Sequence, residues 1–142
     1  MDHIIVPLDT SDVSARAIET ATRFARAFDS EITLLLVLDH VVRNGLDEAA
    51  QSENALIETE ADAYLQPLAS ELQGMGINAK VMVLDAPDPA AAISETAESE
   101  NADLIVMCTH GRTGAERWLL GSVTDRVIRS SGVPVHVIPV RG

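Results

Sequence analysis

Lysine is nearly missing from this chain: Lys80 is the only one, and 10 basic residues face 22 acidic ones for a formal net charge of −12. With no basic stripe to replace phosphate counterions, the sequence excludes nucleic acid as an expected partner. Cysteine is as scarce. Cys108 alone rules out an internal disulfide and a multi-cysteine metal site, leaves an intermolecular bridge formally open, and suits a reducing cytoplasm. No run approaches the roughly eighteen uncharged apolar residues of a membrane span, and the opening MDHIIVPLD has neither a basic n-region nor a long apolar h-region. A cytoplasmic chain without a membrane partner is expected. The common nucleotide fingerprints are lacking too, since there is no G-x-x-x-x-G-K-[ST] and no G-x-G-x-x-G after the first apolar run. His3, His40 and His136 show no metal-ligand spacing.

What is there is a chain of 142 residues, 46% hydrophobic, long enough to bury a core as one domain over 1–142. Apolar runs at 3–8 (HIIVPL), 31–38 (EITLLLVL), 77–84 (INAKVMVL), 103–108 (DLIVMC) and 133–140 (VPVHVIPV) read as strands. The first, second and fourth are almost unbroken Val, Ile and Leu, as in parallel strands covered on both faces. Between the first two, Ser11 as N-cap and a stripe of Val13, Ala17, Ala21, Phe24, Ala25 and Phe28 predict a helix. From about Ser52 to Gln73, the spacing of Ile57, Ala61, Leu65, Leu68 and Leu72 predicts a second, which contains Pro67 and ends at Gly74 and Gly76. Asp88 and Pro89 open a third helix reaching about Glu100, and Ser122 with Asp125, patterned like a capping box, opens a fourth closed by Gly132. Such alternation predicts an α/β fold: a single doubly wound five-stranded parallel sheet, Rossmann-like, with helices on both faces. Ligands of such sheets bind beyond the carboxyl ends of the strands, where the strand order switches.

Glycine is concentrated after the fourth strand, in MCTHGRTGAERWLLGS, where Gly111, Gly114 and Gly121 precede Ser122 at a helix start. A turn of this kind presents backbone N–H groups to an anion, phosphate first among candidates, with the helix dipole assisting. An ordinary loop before a capped helix fits the same residues. The spacing G-x2-G-x9-G-[ST] is met at Gly111, Gly121 and Ser122, with Cys108 where the first glycine would stand. Together with THGRTG, LLGSVTDRVI, GVPVHVIPV and the opening IIVPLDTS, it makes the whole chain resemble the universal stress protein A family, in its nucleotide-binding branch. The resemblance implies a stress protein that binds ATP or a related adenine nucleotide as a regulatory ligand and forms a homodimer through strand 133–140. It implies that Pro7 shapes the loop bringing Asp9 to the adenosine and ribose, and that the Val37 backbone reads the adenine. Met107 and Cys108 would line the pocket, and Gly111, Gly121, Ser122 and Val123 would hold the phosphates. Mg²⁺ or Mn²⁺ would be held mainly by phosphate oxygens. One branch of the family lacks the motif, so a nucleotide-independent dimerisation or client-binding module is the alternative. A slow ATP hydrolase is a further one, although no lysine, arginine finger or base is arranged for phosphoryl transfer and no catalytic residue is assigned.

Plainer readings stand beside these. Asp9 also suits a turn or cap before Ser11, and Cys108 suits a small core residue, a redox-sensitive thiol, or a side chain that narrows the pocket. A strand-like backbone is expected at Cys108, because Met107 and Cys108 continue the apolar run without a break. The charge, finally, predicts a halophilic protein: self-repulsion from −12 is relieved where salt shortens the Debye length to about 3 Å at 1 M. Thermal melts should therefore rise from dilute buffer to molar NaCl or KCl, and a flat melting temperature would remove that reading.

Overall fold

The alternating pattern resolves into nine elements in a computed structural model, which describes residues 1–38, 48–109 and 121–139. In chain order they are β1 (His3–Leu8), α1 (Asp12–Phe28), β2 (Glu31–Leu38), α2 (Glu48–Gly74), β3 (Ala79–Asp85), α3 (Pro89–Ser99), β4 (Leu104–Cys108), α4 (Ser122–Ser130) and β5 (Val135–Ile138). The strands form one parallel sheet in the order β3-β2-β1-β4-β5. His40, His110, Gly111, Gly114 and Val140 lie outside the described residues, and so do the side chains of Val13 and Ile57.

Strand alternation divides the core in two. Ile4, Val6 and Leu8, Ile32, Leu34 and Leu36, and Leu104, Val106 and Cys108 face α1 and α2, where they meet Ala17, Ala21, Ala61 and Leu65. The intervening residues Ile5, Leu35, Ile105 and Met107 face α3 and α4, against Ala90, Ile93, Ala97 and Val127. Because both faces are covered, β1 and β4 are buried from end to end. Full burial of a side chain such as Leu65 or Ile105 contributes about 1.5–3 kcal/mol.

Polar chemistry ends each element. Ser11 caps α1 by accepting from the Ser14 amide at 2.9 Å, and Asp88 caps α3 by accepting from the Ala91 amide at 3.3 Å. The exit of α2 is a Schellman turn: Ile77 N–H donates to the Leu72 carbonyl and Gly76 N–H to that of Gln73, both at 3.0 Å. Gly76 sits at φ +83°, which a β-carbon would strain. At the amino end of the sheet the buried His3 donates from Nδ1 to the Glu100 carbonyl, at 3.1 Å, and its Nε2 meets the Thr33 hydroxyl at 2.7 Å. Lys80 spans Glu31 and Glu100 beside it, at 3.3 and 3.2 Å.

Some expectations shift. Phe28, the last residue of α1, is 53% exposed instead of completing the α1 stripe, while Phe24 stacks edge-on against His136. β3 begins at Ala79, not Ile77, since the Ile77 amide is taken by the α2 turn. β5 is confined to Val135–Ile138, with Pro134 and Pro139 at its borders unable to donate to a ladder. Apolar residues on both its faces are explained by packing on both halves of the core, Ile138 on the α1 side and Val133 and Val135 on the other.

Cys108 is strand-like, as expected, and only 5% exposed. Burial pushes its thiol above the ordinary value, a backbone hydrogen bond from Ala17 and the charge of Arg16 oppose the rise, and Asp9 adds to it. The folded thiol therefore holds its proton more tightly than the unfolded one. The stability it carries is complete below the unfolded pKa and is lost as pH climbs through the folded pKa. Iodoacetamide at pH 8 should alkylate native Cys108 at least about tenfold more slowly than the same chain in urea, the expectation for an inert buried thiol and not a redox sensor. Equal rates, read by mass spectrometry, would overturn this.

Candidate functional site

The sheet switches direction between β1 and β4: the chain moves outward from β1 to β2 and β3, then returns across the sheet to β4 and β5. The hydrogen-bonding sides can be followed residue by residue. Asp2 accepts from Glu31 on the β2 side and His3 accepts from Asp103 on the β4 side, so odd residues of β1 address β4. On β4, Ile105 and Thr109 donate to Pro134 and Ile138, so its odd residues address β5 and its even ones β1. Pro7 is odd and has no N–H. Its missing donor falls where the β1–β4 ladder would continue, and the pairing stops at Ile4↔Leu104 and Ile5↔Ile105. Pairing of β1 with β2, which uses the other side, runs on through Pro7↔Leu35 to Leu8↔Leu36.

Beyond this break the strand ends carry the predicted residues. Continuing the β1–β2 register sets Asp9 level with Val37, which is half-buried and packs toward the α3 side. Asp9 Oδ1 accepts from both the amide and the hydroxyl of Ser11, at 3.0 and 2.6 Å, so the turn role is realised and the carboxylate is fixed by it. Thr10, between them, has φ +71°, a conformation that costs a β-branched residue about 1–2 kcal/mol. The Asp9 amide donates to Ser14 Oγ at 3.2 Å, and Ser14 donates in turn to the Ser11 carbonyl at 3.1 Å. Tyr64 of α2 closes the group. Burial, then the charge of Asp9, push its phenol up, a hydrogen bond with Ser14 pulls the other way, and Asp12 adds a smaller rise.

On the far side of the break stands α4. Gly121, not Ser122, is its N-cap: Gly121 is extended at φ −60° and ψ 152°, and its carbonyl accepts from the Asp125 amide at 2.9 Å. Ser122 is the first helical residue and exposed, so its hydroxyl caps nothing, and Asp125 turns instead to Arg129 at 3.1 Å. The expected capping box is replaced by a helix start with no side-chain cap, in contrast to α1 and α3. The first amides of such a helix have no partner within it and carry the positive end of the dipole. Gly121 N–H donates to the Thr109 carbonyl, and the buried Thr124 hydroxyl donates to the Cys108 carbonyl at 2.9 Å.

Of the predicted residues, Pro7 and Asp9 lie at the carboxyl end of β1, Val37 at that of β2, and Gly121, Ser122 and Val123 at the start of α4, which follows β4 in the chain. Gly111 lies outside the described residues. Met107 and Cys108 belong to the same strand end, but their side chains are each 5% exposed, Met107 under α4 and Cys108 under α1. The thiol is thus core instead of a constriction. Sequence reasoning passed over Thr10, Ser14, Tyr64 and Thr124. Only Thr124 left a legible trace, a polar residue one turn before Val127 on the buried face of α4. An open groove of about 480 Å³ lies at the opposite end of the sheet, lined by Arg26, Asp29, Met75, Gly76 and others, away from the switch point. Among the described residues no group of three His, Cys, Asp or Glu is placed to hold a metal ion.

Comparison with known proteins agrees with this architecture. The model of the universal stress protein family matches residues 1–139. Universal stress protein MJ0531 of Methanocaldococcus jannaschii is 38% identical over 137 residues, covering 95% of this chain and 80% of its own. MJ0577 of the same organism is 30% identical over 151 residues, covering 95% and 93%. The solved structure of MJ0577 superposes with a TM-score of 0.90 at 29% identity, over 99% of this chain and 97% of that one. A universal stress protein from Archaeoglobus fulgidus in complex with dAMP shares the fold, with a TM-score of 0.70 at 22% identity over 97% and 98% of the two chains. With its strand order, switch point and nearly full-length match, the chain belongs to the universal stress protein family.

Proposed function

We propose that this protein binds ATP or a related adenine nucleotide at the carboxyl ends of β1, β2 and β4, as a regulatory ligand of a cytoplasmic dimer. One observation carries the reading: the uncapped amino end of α4 stands at the switch point, beside strands that Pro7 has let part. The amides of the first turn, which have no acceptor within the helix, and the exposed Ser122 hydroxyl would take the phosphates, with Gly111 joining them from the motif. Val37 and Asp9, level on neighbouring strands, would meet the base and ribose. The A. fulgidus relative, in complex with dAMP, supports the choice of an adenine nucleotide. A divalent ion, Mg²⁺ or Mn²⁺, would supply charge neutralisation at the phosphates. Burial of the Cys108 thiol in the α1-side core favours this reading over a nucleotide-free module, because the side chain that replaces glycine there is turned into the protein.

Calorimetric titration in molar KCl with ATP and Mg²⁺ should give saturable binding, weakened in Ser122→Ala by about 1–2 kcal/mol, the range for a hydrogen bond to a charged group. Indifference of the wild type to ATP with either metal would sink the reading.

The dimer would form at β5, an edge of the sheet whose outer side is unpaired among the described residues. A two-fold mate would extend the sheet there. Val137→Asp places a charge on that edge without touching Ile138, which packs on the core. Light scattering should show the variant as a folded monomer, and an unchanged dimer would contradict the interface.

A further inference from the structure

We infer that Thr124 is a positioning residue for the phosphate end of this site, its buried hydroxyl fixing where the amino end of α4 stands on the carboxyl end of β4. The inference rests on the nucleotide reading above. The side chain is 4% exposed and donates to the Cys108 carbonyl at 2.9 Å. By the alternation along β4 that carbonyl lies on the β1 side of the strand, beyond the last β1–β4 pair, Ile5↔Ile105. Thr124 reaches it from the first turn of α4.

A second tie stands close by. Gly121 N–H donates to the carbonyl of Thr109, the next residue along the chain from Cys108. Ser122 and Val123 are therefore bracketed: the residues before and after them are each anchored to one of two consecutive carbonyls at the end of β4. Hydrogen bonds to an anion weaken steeply with misalignment, so a helix start clamped on both sides presents its amides without a further ordering cost on binding. Packing alone does not call for a hydroxyl here. Val127, one turn later on the same buried face, is fully buried with no polar atom. Valine at 124 would fill the same volume and remove the tie to the Cys108 carbonyl, loosening the clamp on one side.

The experiment separates phosphate from base. Wild type, Thr124→Val, Thr124→Ser and Thr124→Ala are titrated with ATP and with adenosine, each with Mg²⁺, after circular dichroism has established folding. Serine and alanine share the lost methyl, so their ratio isolates the hydroxyl even if valine fails to fold. ATP affinity should fall about tenfold in the valine variant against wild type and in alanine against serine, with adenosine affinity unchanged in each pair. Equal ATP affinity within both pairs overturns the inference while leaving the nucleotide reading intact. Parallel losses for ATP and adenosine overturn it in favour of a general structural role. A wild type that binds neither ligand overturns the nucleotide reading, and this inference with it.

Discussion

A single absent hydrogen, the amide proton that Pro7 lacks, falls where the β1–β4 ladder stops at the carboxyl end of the sheet. Proline is rare inside a central strand because it cannot donate to a neighbour. Here the lost donor points toward β4, while the side that pairs with β2 is untouched. The sheet stays continuous on one side of β1 and opens on the other, and the opening coincides with the place where the winding reverses. Stability and access are assigned to opposite edges of the same strand.

Much of the fold was legible because its strands are extreme. β1 and β2 match their predicted limits to the residue, since unbroken Val, Ile and Leu bounded by Asp and Ser leave little choice of boundary. Limits slipped where backbone bonds, invisible in composition, decided the matter: the α2 turn claimed the Ile77 amide, and prolines trimmed both ends of β5. The site divides in the same way. That Pro7 and Asp9 stand at a strand end and Gly121 and Ser122 at a helix start could be read from motif and position. That Gly121 and not Ser122 caps α4, and that Cys108 turns under α1, could not, because each depends on how the helix start docks against a strand end. The direction of the Pro7 gap also required the strand order, which no single-chain periodicity reports.

The carboxyl-end turns differ from one another in a way that supports division of labour. The β1–α1 turn is held by its own side chains: Asp9, Ser11 and Ser14 hydrogen-bond one another, and Thr10 is held at a positive φ within it. The start of α4 keeps its first amides outside any side-chain cap and spends its polar side chain, Thr124, on the strand below. An acidic turn after β1 and a helix start with positive partial charge after β4 thus both lie at the carboxyl end of the sheet. Such a pairing suits a ligand with a hydroxyl-bearing, hydrogen-bonding half and an anionic half.

The polar clasp of His3, Thr33, Glu31, Lys80 and Glu100 has a chemical consequence. Lys80 is the only lysine side chain, and it is pinned at the amino end of the sheet, with the switch point at the other end of the strands. Any acylation or cross-linking confined to lysine side chains must therefore land at the amino end of the sheet, away from the switch point. A surface-bound or fluorophore-tagged population made through Lys80 would share one orientation, with the carboxyl ends of the strands directed away from the attachment.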